Sequence, residues 1–168
     1  MVMLIFTLAG CEDKMEVFGI KIGNPLQSLR DEKIVKKEDL IPSKKHFLMV
    51  DLIRAPKNEI GDSAKYSVSS LDGEIISAYA VIDDHSEVYF NSLVGYAKNK
   101  LGEPIATNDG IKNADMTRLV PYGCVNDKTC PTAKYAIFRK GKINAMVSSG
   151  DGKSSIYFDS DKIKETMN

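Results

Sequence analysis

The sequence has no tryptophan, few aromatic residues and no excess of either charge. Phe, Tyr and Trp make up 8% of the 168 residues, so no obvious aromatic platform for sugars or bases is expected. Lys and Arg number 23, as do Asp and Glu, and the formal net charge is zero. A balanced chain whose basic residues cluster only in pairs, such as Lys36-Lys37, lacks the electrostatic footprint of a nucleic-acid-binding protein. We therefore expect no nucleic-acid partner.

Motifs that identify catalytic or metal sites by their spacing are also missing. The sequence contains no His-Glu-x-x-His, no Gly-x-Ser-x-Gly and no calcium-binding loop. The stretch Asp83–Glu87 holds residue types that hydrolases use, but triad members usually converge from separate segments, so we interpret it as a helix N-terminus. The Gly-Lys-Ser at 152–154 lacks the upstream glycine of a phosphate-binding loop and predicts a hairpin turn. We expect no cofactor and no metal.

The first ten residues carry no charge, and the apolar run ends in Leu8-Ala9-Gly10-Cys11 before the polar residues Glu12-Asp13-Lys14. An apolar core of about 7–15 residues followed by small residues is typical of a secretory signal. A run of about ten residues is far shorter than the ~20 that a membrane-spanning helix needs. We therefore predict a signal peptide at 1–10. The alternative is a buried N-terminal strand with a packed cysteine.

Leu8-Ala9-Gly10-Cys11 resembles the lipobox of bacterial lipoproteins. The resemblance implies cleavage before Cys11, acylation of that residue with chains such as palmitate, and a lipidated tether at 11–15. It also implies a location in the bacterial cell envelope, facing the periplasm, and Glu12 favours the outer membrane because Asp at that place tends to retain lipoproteins at the inner membrane. Since Met1–Met3 lacks the basic residues of such signals, we expect an upstream start codon or a short signal.

The number of cysteines becomes informative once Cys11 is lipidated. Of the three cysteines, Cys124 and Cys130 then remain. They can pair in an oxidising compartment, and the polar, turn-rich residues between them allow the chain to fold back. A loop of this length would contribute about 2–2.5 kcal/mol in the loop-entropy model. A metal site would need two more soft ligands, and free thiols are the other alternative.

Hydrophobic periodicity predicts a single globular domain at 16–168 with an α+β fold: an antiparallel β-sheet with helices packed on one face. The order of elements suggests two tandem strand–helix–strand–strand units. The clearest helix follows Asp84 and ends at Gly102, with an apolar stripe from Phe90 to Leu101. A short helix is expected at 25–30 and another at 161–167. Strands are expected at 16–22, 33–37, 46–53, 64–71, 74–82, 134–139, 142–148 and 154–159.

The stretch Phe18-Gly-Ile-Lys-Ile-Gly23, with the turn and short helix that follow, resembles the start of small envelope lipoproteins of the outer-membrane assembly (BamE/SmpA) and β-lactamase-inhibitor-protein-like kind. The resemblance implies a binding module. Residues 105–131 form a long polar region, and loops of this length held by a rigid scaffold often bind partners. We predict partner contacts at Tyr122, Asn126, Asp127 and Lys128.

These observations predict a non-catalytic, periplasm-facing lipoprotein that binds another protein, as an envelope-assembly accessory or as an inhibitor or immunity protein. One alternative is a cell-envelope hydrolase, which would need carboxylates or a nucleophile that converge in a cleft. The other alternative is a small-ligand-binding lipoprotein, which requires a concave apolar pocket.

Overall fold

The fold is mainly β. The structure, a computed structural model, describes residues 14–42, 44, 46–107, 110–111, 134–150 and 152–167. Of these residues, 47% lie in strands and 21% in helices. The predicted α+β class, with helices packed on one face of a sheet, is therefore wrong. The physical reason is that period-2 alternation dominates the described residues, where one helix alone, Glu87–Leu101, is long enough to cover a sheet.

One antiparallel sheet of nine strands organises the described chain. In chain order the strands are β1 (Glu16–Val17), β2 (Ile20–Lys21), β3 (Val35–Leu40), β4 (Phe47–Leu52), β5 (Lys65–Leu71), β6 (Glu74–Ile82), β7 (Ala106–Thr107), β8 (Gly110–Ile111), β9 (Lys134–Lys140), β10 (Ile143–Gly150) and β11 (Lys153–Ser160). The spatial order is β3-β4-β5-β6-β11-β10-β9-β7-β8, and β1 and β2 form a separate hairpin. The helices are α1 (Gln27–Asp31), α2 (Glu87–Leu101) and a C-terminal 3-10 helix (Asp161–Met167).

The predicted tandem strand–helix–strand–strand units are not separate in the structure. β6 and β11 pair directly and merge the strands on either side of α2 into one sheet. The two helices also differ, because α1 has 5 residues and α2 has 15. We therefore correct this prediction together with the fold class.

Local turn chemistry explains the hairpins. The predicted turn at Asp72-Gly73 is confirmed. Asp72 and Gly73 have φ of 51° and 80°, and both central residues of a type I′ turn need positive φ. The predicted strand 16–22 is wrong in detail, since Phe18 (φ 57°) and Gly19 (φ 78°) turn the chain between β1 and β2. That turn leaves the side chains of Val17, Phe18 and Ile20 fully buried.

Helix α2 packs on β9, β10 and β11, three of the nine strands of the sheet. Its apolar stripe is confirmed, because Leu93, Ala97 and Leu101 are buried against the main core. The helix begins later than predicted: Ser86 is the N-cap, and the Asp84 carboxylate accepts a hydrogen bond of 2.7 Å from the Ser86 backbone N–H. It ends at Gly102, whose φ is 88°.

The sheet has two distinct ends. At the proximal end, β6 begins with Glu74, β11 ends with Ser160, and Lys142 lies in the turn between β9 and β10. At the distal end β9 begins with Lys134, whose ammonium lies 2.5 Å from the Glu87 carboxylate at the start of α2. An eight-residue strand such as β10 spans about 26 Å, which is roughly the separation of the two ends. No helix in the described part of the chain has the length and hydropathy to cross a membrane.

Candidate functional site

The site residues predicted from the sequence lie outside the part of the chain that the structure describes. They are Cys11, Tyr122, Cys124, Asn126, Asp127, Lys128 and Cys130. The predicted signal peptide at 1–10 also lies outside it, and only Lys14 and Met15 of the predicted tether are described. Lipidation of Cys11, the disulfide and the partner contacts therefore stay predictions.

A row of half-buried residues crosses the sheet on the face opposite the main core. The register pairs Ser67 of β5 with Tyr79 of β6, Tyr79 with Tyr157 of β11, and Tyr157 with Met146 of β10. Directly opposed residues share one face of an antiparallel sheet, so these four side chains lie side by side. We name the set formed by Ser67, Tyr79, Tyr157, Met146, Ser148 and Ser155 the serine–tyrosine face.

Two contacts order the centre of the serine–tyrosine face. The rings of Tyr79 and Tyr157 lie 6.3 Å apart between centroids and are inclined by 58°. The hydroxyl oxygens of Ser148 and Ser155 lie 2.9 Å apart, in a hydrogen bond across β10 and β11. Burial raises the pKa of Tyr157 to about 12; a hydrogen bond with Ser77 opposes this shift and the charge of Asp159 adds to it. At neutral pH the Tyr157 hydroxyl is therefore protonated and able to donate.

A polar network supports this face towards the proximal end. The Arg139 guanidinium donates to both carboxylate oxygens of Asp161, at 3.0 and 2.8 Å, and to the Asn144 side-chain oxygen at 2.5 Å. The Asn144 amide donates in turn to Asp159 at 2.9 Å. Burial disfavours ionisation of Asp161, but Arg139 and then Lys164 outweigh it and keep the pKa of the carboxyl below its ordinary value. The network thus holds three strands together through charge-assisted hydrogen bonds.

A cavity of about 350 Å³ lies at the proximal end, between the β2 segment, the turn after β9 and the 3-10 helix. Carboxylates from separate segments line it: Glu74 from β6, and Asp161 and Glu165 from the 3-10 helix. The Lys162 ammonium lies 2.6 Å from both oxygens of the Glu74 carboxylate. A general acid at neutral pH needs a raised pKa, whereas that of Asp161 is lowered. The Asp161 carboxyl is therefore ionised at neutral pH.

Other residues that the sequence singled out have structural roles. The His85 carbonyl accepts a hydrogen bond of 3.2 Å from the Ser149 hydroxyl, and Asp84 caps the turn before α2. β10 ends at Gly150 and β11 begins at Lys153, so the predicted hairpin turn is confirmed. His46 lies in a turn with φ 60°. Within the described ranges, no three His, Cys, Asp or Glu side chains are grouped closely enough to hold a metal ion.

Sequence reasoning missed both the serine–tyrosine face and the proximal cavity. A signal for the face was present, since Ser67 and Tyr79 occupy alternate positions of two correctly predicted strands. The pairing of β6 with β11, which brings Tyr79 beside Tyr157, joins strands far apart in the chain and left no local signal. The sequence holds no local signal for the cavity either, because the residues that line it come from five separate segments of the chain.

The described chain has a mainly β fold built on one antiparallel sheet, and comparison with known proteins adds little to this description. No protein-family model matches the chain, and no curated protein matches its sequence. Among solved structures, the chain is similar to a cysteine-rich secretory protein from Staphylococcus aureus subsp. aureus Mu50, with 16% identity and a TM-score of 0.45. The likeness covers 89% of this chain and 46% of that protein, so the chain spans about half of its length.

Proposed function

We propose that this protein is a non-catalytic lipoprotein of the bacterial cell envelope that binds another protein through the serine–tyrosine face. The observation that carries the proposal is the row Ser67–Tyr79–Tyr157–Met146, which lies half-buried across four paired strands. Tyrosine and methionine are enriched in the cores of protein interfaces, where a large apolar area is combined with a polar group that can pair.

The rigidity of the sheet favours this role. Each of the four strands is paired on both sides, so the backbone beneath the face is already ordered before a partner arrives. A preformed surface loses little conformational freedom on binding, which leaves more of the interaction energy for affinity. The small side chains of Ser67, Ser148 and Ser155 leave room for a partner beside the tyrosine rings.

The placement of the two ends supports an anchored binding domain. Lys14, the third residue after Cys11, lies at the proximal end, where a Cβ on Gly23 would be 3.7 Å from the Lys14 Cγ. Lys134, the first residue of β9, lies at the distal end. The segment with Tyr122 and residues 126–128 precedes Lys134 in the sequence. A lipid on Cys11 would thus attach the domain at one end and leave the other end directed away from the membrane.

Site-specific photocrosslinking tests the binding proposal. A crosslinking amino acid replaces Ser67 on the serine–tyrosine face, and Asn99, on the exposed surface of α2, provides the matched control. We expect a discrete crosslinked protein of one mass from position 67 and none from position 99. Tyr157→Ala in the same background should lower the yield about tenfold, because aromatic anchors dominate interface energetics. Equal products from both positions, or none from position 67, would contradict the proposal.

Fractionation tests the anchor separately. The wild-type protein should be found with the membranes and carry an acyl mass on Cys11, because two or three acyl chains hold a protein stably at a bilayer. Cys11→Ser should lose both properties. A Cys11→Ser protein that still fractionates with the membranes would show that something other than this lipid holds it there.

A further inference from the structure

We propose that strand β3 pairs edge to edge with β3 of a second copy of this chain, so that two sheets join across a two-fold axis at Glu38. In the described part of the chain, β3 is the end strand of the nine-stranded sheet and pairs with β4 alone. The residues of β3 from Lys36 to Leu40 are all exposed. A free edge of this kind offers a row of backbone donors and acceptors to another strand.

The ladder between β3 and β4 shows which backbone groups face the free edge. The Ile41 backbone N–H donates to the Phe47 carbonyl at 3.1 Å. In an antiparallel pair, alternate residues turn their N–H and C=O groups towards the neighbouring strand. Asp39, two residues before Ile41, therefore turns these groups to β4, whereas its neighbours Glu38 and Leu40 turn theirs to the free edge. Glu38 can thus exchange two hydrogen bonds with Glu38 of a second copy.

The charges on β3 select one register of that pairing. With the axis at Glu38, Lys37 of each copy lies directly opposite Asp39 of the other, which gives two ion pairs across the axis. Within one copy, the Lys37 ammonium and the Asp39 carboxylate lie 2.7 Å apart, and both side chains are more than half exposed. An axis at Lys37 or Asp39 would place like charges opposite each other, which destabilises paired strands. An axis at Leu40 would set Glu38 against Pro42, which has no N–H to donate.

The one like-charge contact in this arrangement is already neutralised. Glu38 would face Glu38 of the second copy, but its carboxylate accepts hydrogen bonds of 2.7 Å from both Nε and Nη2 of Arg30 on α1. A bidentate arginine–carboxylate pair balances the charge and fixes the geometry of both groups. Leu40, which is 61% exposed, lies two residues along the same strand and would lose part of its exposed apolar surface to the second copy.

The twist of the sheet makes this dimer compatible with a lipid anchor on both copies. Neighbouring strands rotate by about 20–25°, so the four steps from β3 to β11 turn the strand direction by about 80–100°. β11 would then run roughly along the two-fold axis, which is perpendicular to the sheet at β3. A two-fold rotation preserves directions along its axis, so the proximal ends of both copies point the same way. The inference goes beyond the proposed function, and the dimer itself does not depend on the anchor.

Sedimentation equilibrium of the full chain carrying Cys11→Ser tests the dimer without the lipid. Two short edges bury less than the roughly 1,200 Å² of a stable interface, so we expect a dissociation constant on the order of 100 μM. Lys37→Asp and Asp39→Lys should each weaken association about tenfold, because both ion pairs across the axis become like-charge pairs. A wild-type chain that stays monomeric at about 500 μM would overturn the proposal. Unchanged association of both variants would overturn it as well.

Mixing these two variants tests the register. In a mixed dimer each aspartate at positions 37 and 39 again faces a lysine, so an equimolar mixture should associate about as tightly as wild type. A mixture that associates no better than either variant alone would exclude this register. Lys65→Asp and Asp83→Lys provide the matched control, because they reverse an exposed ion pair near the distal end with the same changes of charge. If these control variants weaken association as much as the β3 variants do, the effect belongs to net charge and the assignment to β3 is wrong.

Disulfide trapping locates the contact. Residues 37 and 39 of opposite copies would form a non-hydrogen-bonded pair with Cα atoms about 4.5 Å apart, which suits a disulfide. In the Cys11→Ser chain, a mixture of Lys37→Cys and Asp39→Cys should give this disulfide on mild oxidation, identified by mass after proteolysis. Lys37→Cys alone should give much less, since the two copies of residue 37 are about 8 Å apart. Equal yields would show a different register and overturn the proposal.

One further variant keeps this result separate from partner binding. Tyr157→Ala lies on the serine–tyrosine face, away from β3, and should leave both the dissociation constant of the dimer and the yield of the disulfide unchanged. A dimer that Tyr157→Ala dissociates would place the contact on the serine–tyrosine face instead of β3 and overturn the assignment.

Discussion

Tyr79 of β6 and Tyr157 of β11 lie directly opposite each other in the sheet, with ring centroids 6.3 Å apart. Neither ring belongs to the main core, which lies on the other face and includes Ala78, Ala80 and Phe158. Between them the two tyrosines place a large, half-buried aromatic surface where the first and second halves of the chain meet. The consequence for Tyr157 is measurable, because burial raises the pKa of its hydroxyl to about 12.

Tyr157→Phe should change how stability depends on pH above neutrality. The folded-state pKa lies above the unfolded value of about 10, so the unfolded state releases the proton first. The Tyr157 hydroxyl therefore makes its full contribution to the unfolding free energy below about pH 10. That contribution falls by about 1.4 kcal/mol per pH unit as the pH rises from 10 towards 12. Urea denaturation at pH 9, 10.5 and 11.5 measures the unfolding free energy of both proteins.

The comparison with the variant isolates this one hydroxyl. Burial also raises the pKa values of Tyr66 and Tyr96, so wild type and variant both lose stability in alkaline solution. The difference between their unfolding free energies reports on Tyr157 alone. We expect the unfolding free energy of wild type to fall relative to that of Tyr157→Phe progressively between pH 10 and 12. Parallel curves for the two proteins would show that Tyr157 titrates normally.

Gly19→Ala should destabilise the fold strongly, and Gly73→Ala much less. The two glycines have nearly the same φ, 78° and 80°, so both substitutions carry similar backbone strain of roughly 1–2 kcal/mol. A Cβ on Gly19 would lie 2.8 Å from the Pro56 Cβ and 2.9 Å from the Lys57 backbone nitrogen, whereas a Cβ on Gly73 meets nothing within 4 Å. We expect Gly19→Ala to cost about 2 kcal/mol more than Gly73→Ala in thermal or urea unfolding. Equal costs would mean that the loop at Pro56 moves away freely.

The sequence predicted those parts of the fold that neighbouring residues determine. The alternation of apolar and polar residues predicted β5 and β6, and Asp72 and Gly73 adopt the positive φ that the predicted turn between these strands requires. The fold class was wrong because, among the described helices, α2 alone is long enough to cover a sheet. The tandem units were wrong because β6 and β11, which lie far apart in the chain, pair and join the strands into one sheet. β7 and β8 have two residues each, too few to show periodicity, and Glu16–Lys21 alternates like a strand although it forms a hairpin.

Even less of the candidate site could be predicted from the sequence, for a similar reason. A serine or tyrosine at an alternate strand position shows only that it faces away from the core. Whether Tyr79 meets Tyr157 is decided by the β6–β11 pairing, and whether Lys14 and Lys142 line the same cavity is decided by where the first hairpin docks. Both are tertiary contacts across most of the chain, which a single sequence does not encode in any local pattern.

Arg139→Met should destabilise the protein at neutral pH and do so less in acid. The substitution leaves Asp161 without its main partner, and removing one member of a largely buried pair typically costs about 3 kcal/mol. Because Arg139 and Lys164 lower the pKa of Asp161 below 3.8, the stabilisation is present above about pH 4 and is lost as the pH falls through the folded-state pKa. Urea unfolding at pH 7, 4 and 3 should show a shrinking difference between wild type and variant.

Lys164→Met provides the matched control for that pair. The Lys164 ammonium lies 3.3 Å from the Asp161 carboxylate, but its side chain is 36% exposed, compared with 13% for Arg139. An exposed ion pair contributes about 0–1 kcal/mol because solvent screens it and the side chain loses freedom. If Lys164→Met were as costly as Arg139→Met, burial of the guanidinium would not be the source of the stabilisation.

Thiol titration tests the covalent state predicted for the cysteines. If Cys124 and Cys130 form a disulfide and Cys11 is acylated, the mature protein unfolded in denaturant without reductant should show no reactive thiol, and reduction should expose two. The reduced protein should unfold at a free energy lower by about 2 kcal/mol, since the short loop is no longer closed in the unfolded state. Cys124→Ser alone should show the same loss of stability and one free thiol at Cys130. Two reactive thiols before reduction would mean that the pair is open, and the predicted oxidising compartment would lose its support from these cysteines.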